Sequence, residues 1–185
     1  IGPARGLDPV QRAAERRVIE IQPEDLALRQ PQLELQRAQH LAQLAGDGRI
    51  RAKIAAALPF KLTGSQRTAL KEISDDLAAP HRMLRLLQGD VGSGKTVVAL
   101  LAMAIAVESG AQAALMAPTE VLARQHAETI APLAEKAGLT IGLLTGREKG
   151  KAREALLERL ASSEIDILIG THALFQGEVI FKDLA

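Results

Sequence analysis

Apolar positions along this chain keep two rhythms that change places at regular intervals. From Met83 onward, short apolar runs alternate with longer stretches in which apolar residues recur at helical spacing. The pattern predicts strand 84–88, helix 94–109, strand 112–117, helix 120–136, strand 140–145, helix 150–161 and strand 165–169. Strands separated by helices of this length form right-handed βαβ units, and so a parallel sheet with helices on both faces. Val97 to Val107 is an unbroken run of eleven apolar residues, which marks a helix buried nearly all round against that sheet.

Upstream the rhythm weakens. Leu70, Ile73 and Leu77 predict a helix opened at Thr63 and stopped near Pro80, and a shorter one runs from Ile50 to Leu58, before Pro59. Leu33, Leu41 and Leu44 give one stripe on a helix from Pro31 to about Ala45, which Gly46-Asp47-Gly48 breaks. Neither of the last two helices has enough apolar surface to stand alone, so both should lean on the larger domain or on something outside this chain. Residues 1–25 hold Pro3, Gly6, Pro9 and Pro23 without a sustained apolar face and read as a tether or a partly ordered edge. The expected division is a helical linker over 1–57 and an α/β domain over 58–185.

Composition narrows the classes. At 47% hydrophobic and 24% charged, 185 residues suit a globular domain with one sizeable core and a smaller appendage. Net charge is +1, and neither the first sixty residues nor the rest is strongly basic, so any contact with a polyanion must be local. The chain has no cysteine, which excludes disulfides and thiolate metal sites and suits a reducing cytoplasm. The run from Val97 to Val107 is too short to span a bilayer. With three Phe and no Trp or Tyr, the chain lacks base-stacking platforms.

The chemistry concentrates between strand 84–88 and the apolar helix. Gly89-Asp90-Val91-Gly92-Ser93-Gly94-Lys95-Thr96 fits the Walker A pattern at every fixed position, in the strand–loop–helix context that the pattern requires. The glycines let successive backbone N–H groups converge on phosphate oxygens, and the following helix adds the positive end of its dipole. Lys95 supplies a charge for the β- and γ-phosphates, and Thr96 a hard hydroxyl oxygen for Mg²⁺. Thr63 and Gln66 satisfy the capping-box spacing, which needs no ligand; a glutamine amide also matches the donor and acceptor on an adenine edge.

Ligands of open parallel sheets bind beyond the carboxyl ends of the strands. Three further loops lie there: Ala117-Pro118-Thr119-Glu120 with Arg124, Gln125 and His126 one turn on; Thr145-Gly146 followed by Arg147, Lys149, Lys151 and Arg153; and Gly170-Thr171-His172. Each pairs a small residue or Thr with a helix start, whose free N–H groups bind phosphate. In register along one edge they would follow a nucleic-acid backbone without reading bases. The plainer alternative makes Thr119 an ordinary N-cap and the basic run a solvated face interleaved with Glu148 and Glu154.

Leu58 to Gln66, Leu86 to Ala99, Met116 to His126 and Ile165 to Gln176 together closely resemble the RecG family of superfamily-two ATP-dependent DNA helicases, and the likeness covers about residues 58–185. That resemblance implies a P-loop NTPase fold of the RecA-like type, preceded by a helical linker. It also implies a motor that remodels forks and junctions at the expense of ATP. It makes Gln66 an adenine-recognising residue with Phe60 near the base, and it matches Lys95 and Thr96 to the nucleotide motif. Pro118, Thr119, Thr145, Gly146, Thr171 and His172 match family segments that contact the DNA backbone, with Arg124 one turn beyond. Family members continue into a strand bearing an Asp-Glu box and a second lobe with arginine fingers. A chain ending at Ala185 is therefore expected to have an incomplete sheet and to bind ATP while hardly hydrolysing it. A linker following a wedge domain is the family's counterpart of residues 10–57. Two rivals remain: a motor of the transcription-repair coupling type, which shares the Gly-Asp-Val-Gly and Gly-Thr-His stretches, and a non-catalytic interaction fragment.

Overall fold

The computed structural model describes residues 44–79 and 83–185. The expected tether and nearly all of the helix from Pro31 lie outside them; residues 44 and 45, its last two, are irregular. Five helices and three strands follow: α1 (Arg49–Ala57), α2 (Gly64–Ala78), α3 (Lys95–Glu108), β1 (Ala113–Met116), α4 (Glu120–Ala137), β2 (Ile141–Leu144), α5 (Gly150–Ala161) and β3 (Ile167–Gly170), then a 3₁₀ turn at His172–Phe175.

The boundaries have local causes. Thr63 and Gln66 form both halves of a capping box, the Gln66 amide donating to Thr63 Oγ1 (3.2 Å) and the Thr63 amide to Gln66 Oε1 (2.8 Å). Thr119 caps α4 by accepting from the Leu122 amide at 3.3 Å. Gly138 closes α4 in the left-handed region at φ 84°, where a side chain would be strained.

The strands form one parallel sheet in the order β1-β3-β2, so each connection crosses over through a helix. Central β3 is buried on both faces, and its side chains divide between two clusters. Ile167 and Ile169 join the main cluster with α3 and α4; Leu168 joins Leu144, Leu160 and Ile165 on the side of α5. In α3, Leu100, Leu101, Ala104 and Ile105 are essentially inaccessible, as the eleven-residue apolar run predicts.

Helix α1 packs against α3 and α4, burying Ile54 completely, worth roughly 1.5–3 kcal/mol. It is also fastened electrostatically. The buried Glu108 carboxylate, at the far end of α3, accepts from the amides of Gly48 (3.0 Å) and Arg51 (2.8 Å) and from Arg51 Nε (2.8 Å). Three donors satisfy the buried charge, and α1 leans on the larger body as its weak apolar face requires.

One expected strand is absent from the sheet. Residues 84–88 keep a period of two, with Leu84 and Leu86 exposed and Arg85 turned inward between Glu72 (2.6 Å) and Asp76 (2.5 Å) of α2. Their backbone joins no ladder, because none of the three described strands lies beside them. Alternation alone does not make a strand; a neighbouring backbone does. At the opposite end of the described chain, the Gln112 amide donates to the Asp183 carbonyl (2.6 Å) and the Ala185 amide to the Gln112 carbonyl (3.0 Å), a single parallel bridge on the outer edge of β1. Among the described residues no helix is long and apolar enough to cross a membrane.

Candidate functional site

The glycine-rich loop 89–94 enters α3 through two left-handed glycines, Gly92 and Gly94, both at φ 81°. A side chain at Gly92 would meet open space, whereas a Cβ on Gly94 would run into the amide nitrogen of Gln66. Conformation therefore excludes other residues at both positions, and close packing does so again at Gly94. The Ser93 amide closes the loop onto the Asp90 carbonyl at 3.1 Å. Lys95 Nζ donates to the carbonyls of Gly89 (2.7 Å) and Asp90 (2.8 Å), so the ammonium lies across the mouth of its own loop. Lys95 and Thr96 open α3, where the first amides have no carbonyl behind them.

Gln66 serves this loop as well as its own helix. Its Oε1 completes the capping box while Nε2 donates to the Ser93 carbonyl at 2.8 Å, and the residue is buried. The sequence left a cap and an adenine contact as alternatives. The structure places the cap and adds a tie to the phosphate loop that spacing did not indicate. Phe60, nearby in sequence, is about half exposed.

The three remaining loops stand in one row. Met116, Gly170 and Leu144 occupy the same register across β1, β3 and β2. The Ala117 amide reaches the Gly170 carbonyl (2.8 Å) and the Thr171 amide the Leu144 carbonyl (3.3 Å), which carries the row beyond the strand ends. Adjacent strands lie ~4.8 Å apart, so the ends of β1 and β2, which lead to Pro118-Thr119 and Thr145-Gly146, stand about 10 Å apart, with the end of β3, leading to Thr171-His172, between them. The side chains differ in access. Thr145 and Thr171 are buried, whereas Pro118, Thr119, Gly146 and His172 are exposed.

Two carboxylates at this row, Glu120 and Glu148, appear in the sequence reading without the bonds they make here. Glu148 Oε2 accepts from the Thr145 amide (2.5 Å) and hydroxyl (2.7 Å), and Glu120 Oε1 accepts from the Gly146 amide at 3.0 Å. Each also holds a guanidinium, Arg124 on Glu148 (3.4 Å) and Arg147 on Glu120 (3.1 Å). Arg124 Nε is buried and has no hydrogen-bond partner. Burial alone would raise the Glu148 pKa, but the hydroxyl and amide of Thr145, with Arg124, bring it below the ordinary glutamate value. A signal was available, since Thr145-Gly-Arg-Glu148 has the spacing of a capping box. Glu120, Val121, Arg124, Gln125, Glu128 and Arg147 line an open hollow of about 430 Å³ beside the row.

Residues 63–184 match the family model for DEAD/DEAH box helicases. The chain is 58% identical over 129 residues to the ATP-dependent DNA helicase RecG of Bacillus subtilis (strain 168), covering 70% of this chain and 19% of that protein. It is 44% identical over 181 residues to RecG of Escherichia coli (strain K12), covering 97% and 26% respectively. A solved structure of RecG bound to a three-way DNA junction superposes with a TM-score of 0.70 at 40% identity, over 83% of this chain and 22% of that one. A hypothetical ATP-dependent RNA helicase from Sulfolobus tokodaii superposes with a TM-score of 0.51 at 19% identity, over 72% and 38%, a likeness of fold alone. The chain spans about a fifth to a quarter of the length of the curated relatives it matches.

Proposed function

The chain belongs to the DEAD/DEAH box helicase family, and from that premise we propose that it is the ATP-binding part of a RecG-type DNA translocase that remodels forks and junctions. In this reading residues 58–185 belong to the first motor lobe and 1–57 to the linker that precedes it. The rest of the motor, a wedge domain and a second lobe, would be its partners in the cytoplasm.

The observation that carries the proposal is the loop 89–96. Its two left-handed glycines turn the backbone tightly, with open space beside Gly92 and unanswered amides at the head of the buried helix α3. A triphosphate oxygen placed there gains fixed N–H donors and a helix dipole without rearrangement of the fold. Lys95 stands on two neutral carbonyls, and moving its ammonium to phosphate exchanges them for a charge-assisted contact. Thr96 offers the one oxygen that Mg²⁺ needs from the loop, the ion itself serving to neutralise phosphate charge. Gln66 lies against this loop through Ser93 and has donor and acceptor capacity left for an adenine edge, with Phe60 beside it in sequence.

DNA would lie along the row. Pro118, Thr119, Gly146 and His172 face outward and Arg124 stands one turn behind, while Thr145 and Thr171, whose side chains are buried and whose amides serve Glu148 and the Leu144 carbonyl, hold the loops that present them. Contacts of that kind hold phosphates and carry no sequence information, as a motor that must pass over any sequence requires.

Calorimetric titration of ATP-Mg²⁺ into wild type and Lys95→Ala tests the proposal. Loss of a charge-assisted contact worth about 1.5–3 kcal/mol should weaken binding about 10- to 100-fold. Equal affinity in the two proteins would defeat it.

A further inference from the structure

The backbone amides that this row would present to a phosphate already carry carboxylates of the chain. Glu148 takes Thr145, Glu120 takes Gly146, and the same two acids hold the guanidiniums of Arg124 and Arg147. A carboxylate held by an amide and a guanidinium uses the donor set that a phosphodiester oxygen pair would use, with the same sign of charge.

The two acids are not equivalent. Glu148 lies three residues from Thr145, grips a buried residue by both amide and hydroxyl, and so builds the loop. Glu120 reaches from another element, 26 residues away, and its hydrogen bond to the Gly146 amide is solvent-exposed. Its second partner, Arg147, is 73% exposed, so that ion pair contributes little by itself. Glu120 can leave without dismantling either helix, and its departure would free an amide and a guanidinium together. Resting on the DNA-backbone reading above, we propose that Glu120 is a resident competitor for a DNA phosphate: it occupies the Gly146 amide and Arg147 at rest and is displaced when a strand docks.

Two consequences follow. The resting chain binds DNA more weakly than its row of amides alone would allow, because the phosphate that docks at Gly146 must first expel a carboxylate. Docking also acts on two loops at once, since the carboxylate released from the β2 loop belongs to the first turn of α4, next to Thr119.

Removing any acid near DNA lowers repulsion, so the test needs a charge-matched control. Glu128 lines the same hollow, is exposed, and holds no amide of the 145–146 loop. Fluorescence anisotropy with a labelled oligonucleotide, single-stranded and three-way branched, should be recorded across a salt series for the 185-residue wild type, Glu120→Ala, Glu120→Gln and Glu128→Ala. Glu120→Ala should bind about 3- to 10-fold tighter than Glu128→Ala, with Glu120→Gln between them. Its salt dependence should steepen by about one phosphate contact, because Arg147 becomes free to neutralise one. Adding Arg147→Ala to Glu120→Ala should remove that extra slope. If wild type binds and Glu120→Ala matches Glu128→Ala in both affinity and slope, the competitor is overturned while the row stands. If neither wild type nor any variant shows salt-dependent binding, the reading of the row falls, and the competitor with it.

Discussion

At the phosphate loop the resident charge is a cation: Lys95 rests on the carbonyls of Gly89 and Asp90. Along the strand ends the resident charges are anions, Glu120 and Glu148, resting on the amides of Gly146 and Thr145. An arriving anion meets opposite conditions at the two places. At the first it recruits the resident, which has only neutral carbonyls to leave. At the second it must evict the resident, which shares its sign. Both regions offer backbone amides, one at the head of α3 and the other beyond the carboxyl ends of the strands, so the difference lies in side chains that borrow those amides or carbonyls at rest. A free helix start therefore indicates where phosphate fits, and the resident side chain decides how readily it enters.

The contrast requires the two regions to be separable, and Gly94→Ala presses hardest on that. An alanine at φ 81° is strained, and its Cβ would displace the Gln66 amide from Ser93, together costing about 2 kcal/mol. For a chain of this size that is a fall in melting temperature of about 4–8 °C. ATP binding should weaken sharply while DNA affinity, measured in the same preparation well below its melting range, stays at the wild-type value. A parallel loss of both would mean that the loop and the row are one mechanical unit, and the comparison would break.

Gln66→Ala sharpens the nucleotide half. The substitution removes half of a capping box and the tie to Ser93, a stability loss of about 1 kcal/mol that any nucleotide would report equally. Adenine recognition adds a selective part: ATP affinity should fall about 3- to 10-fold more than GTP affinity, as expected for paired hydrogen bonds to one base edge. Equal losses would leave Gln66 a cap and a loop tie.

What could be read from the chain follows from how far each interaction reaches. Helix ends came out within a residue or two because their causes are local, such as the Thr63–Gln66 box, the Thr119 cap and Pro59 after α1. The glycine-rich turn into α3 was legible for the same reason, since eight consecutive residues carry it. Strand 84–88 was misjudged because pairing depends on a neighbour, which its own alternation cannot supply. The Gln66 tie to Ser93 spans 27 residues and the Glu120 bond to Gly146 spans 26, so both are products of tertiary folding that sequence spacing does not encode. Glu148 is the exception. Its bond to Thr145 is three residues long and fits a known local pattern, yet the run Arg147 to Arg153 drew attention to its positive charges instead.

The smallest expected effect tests the anionic half through Glu148. Its native pKa lies below the ordinary value, as burial, which opposes ionisation, is outweighed by the Thr145 hydroxyl and amide and by Arg124. The sign follows from linkage. A depressed carboxylate pKa stabilises the fold fully above the unfolded value of about 4.3, and that contribution is lost as pH falls through the lower native value. Between those two values the folded chain keeps Glu148 charged while an unfolded chain would protonate it, so the loop should hold its shape below the range in which free glutamates titrate. Carboxyl NMR should show Glu148 titrating on the acid side of a model glutamate, with the Thr145 amide resonance shifting along the same curve. An ordinary titration, or an amide that ignores it, would mean that Glu148 does not hold this loop, and the anionic half of the comparison would then rest on Glu120 and the Gly146 amide alone.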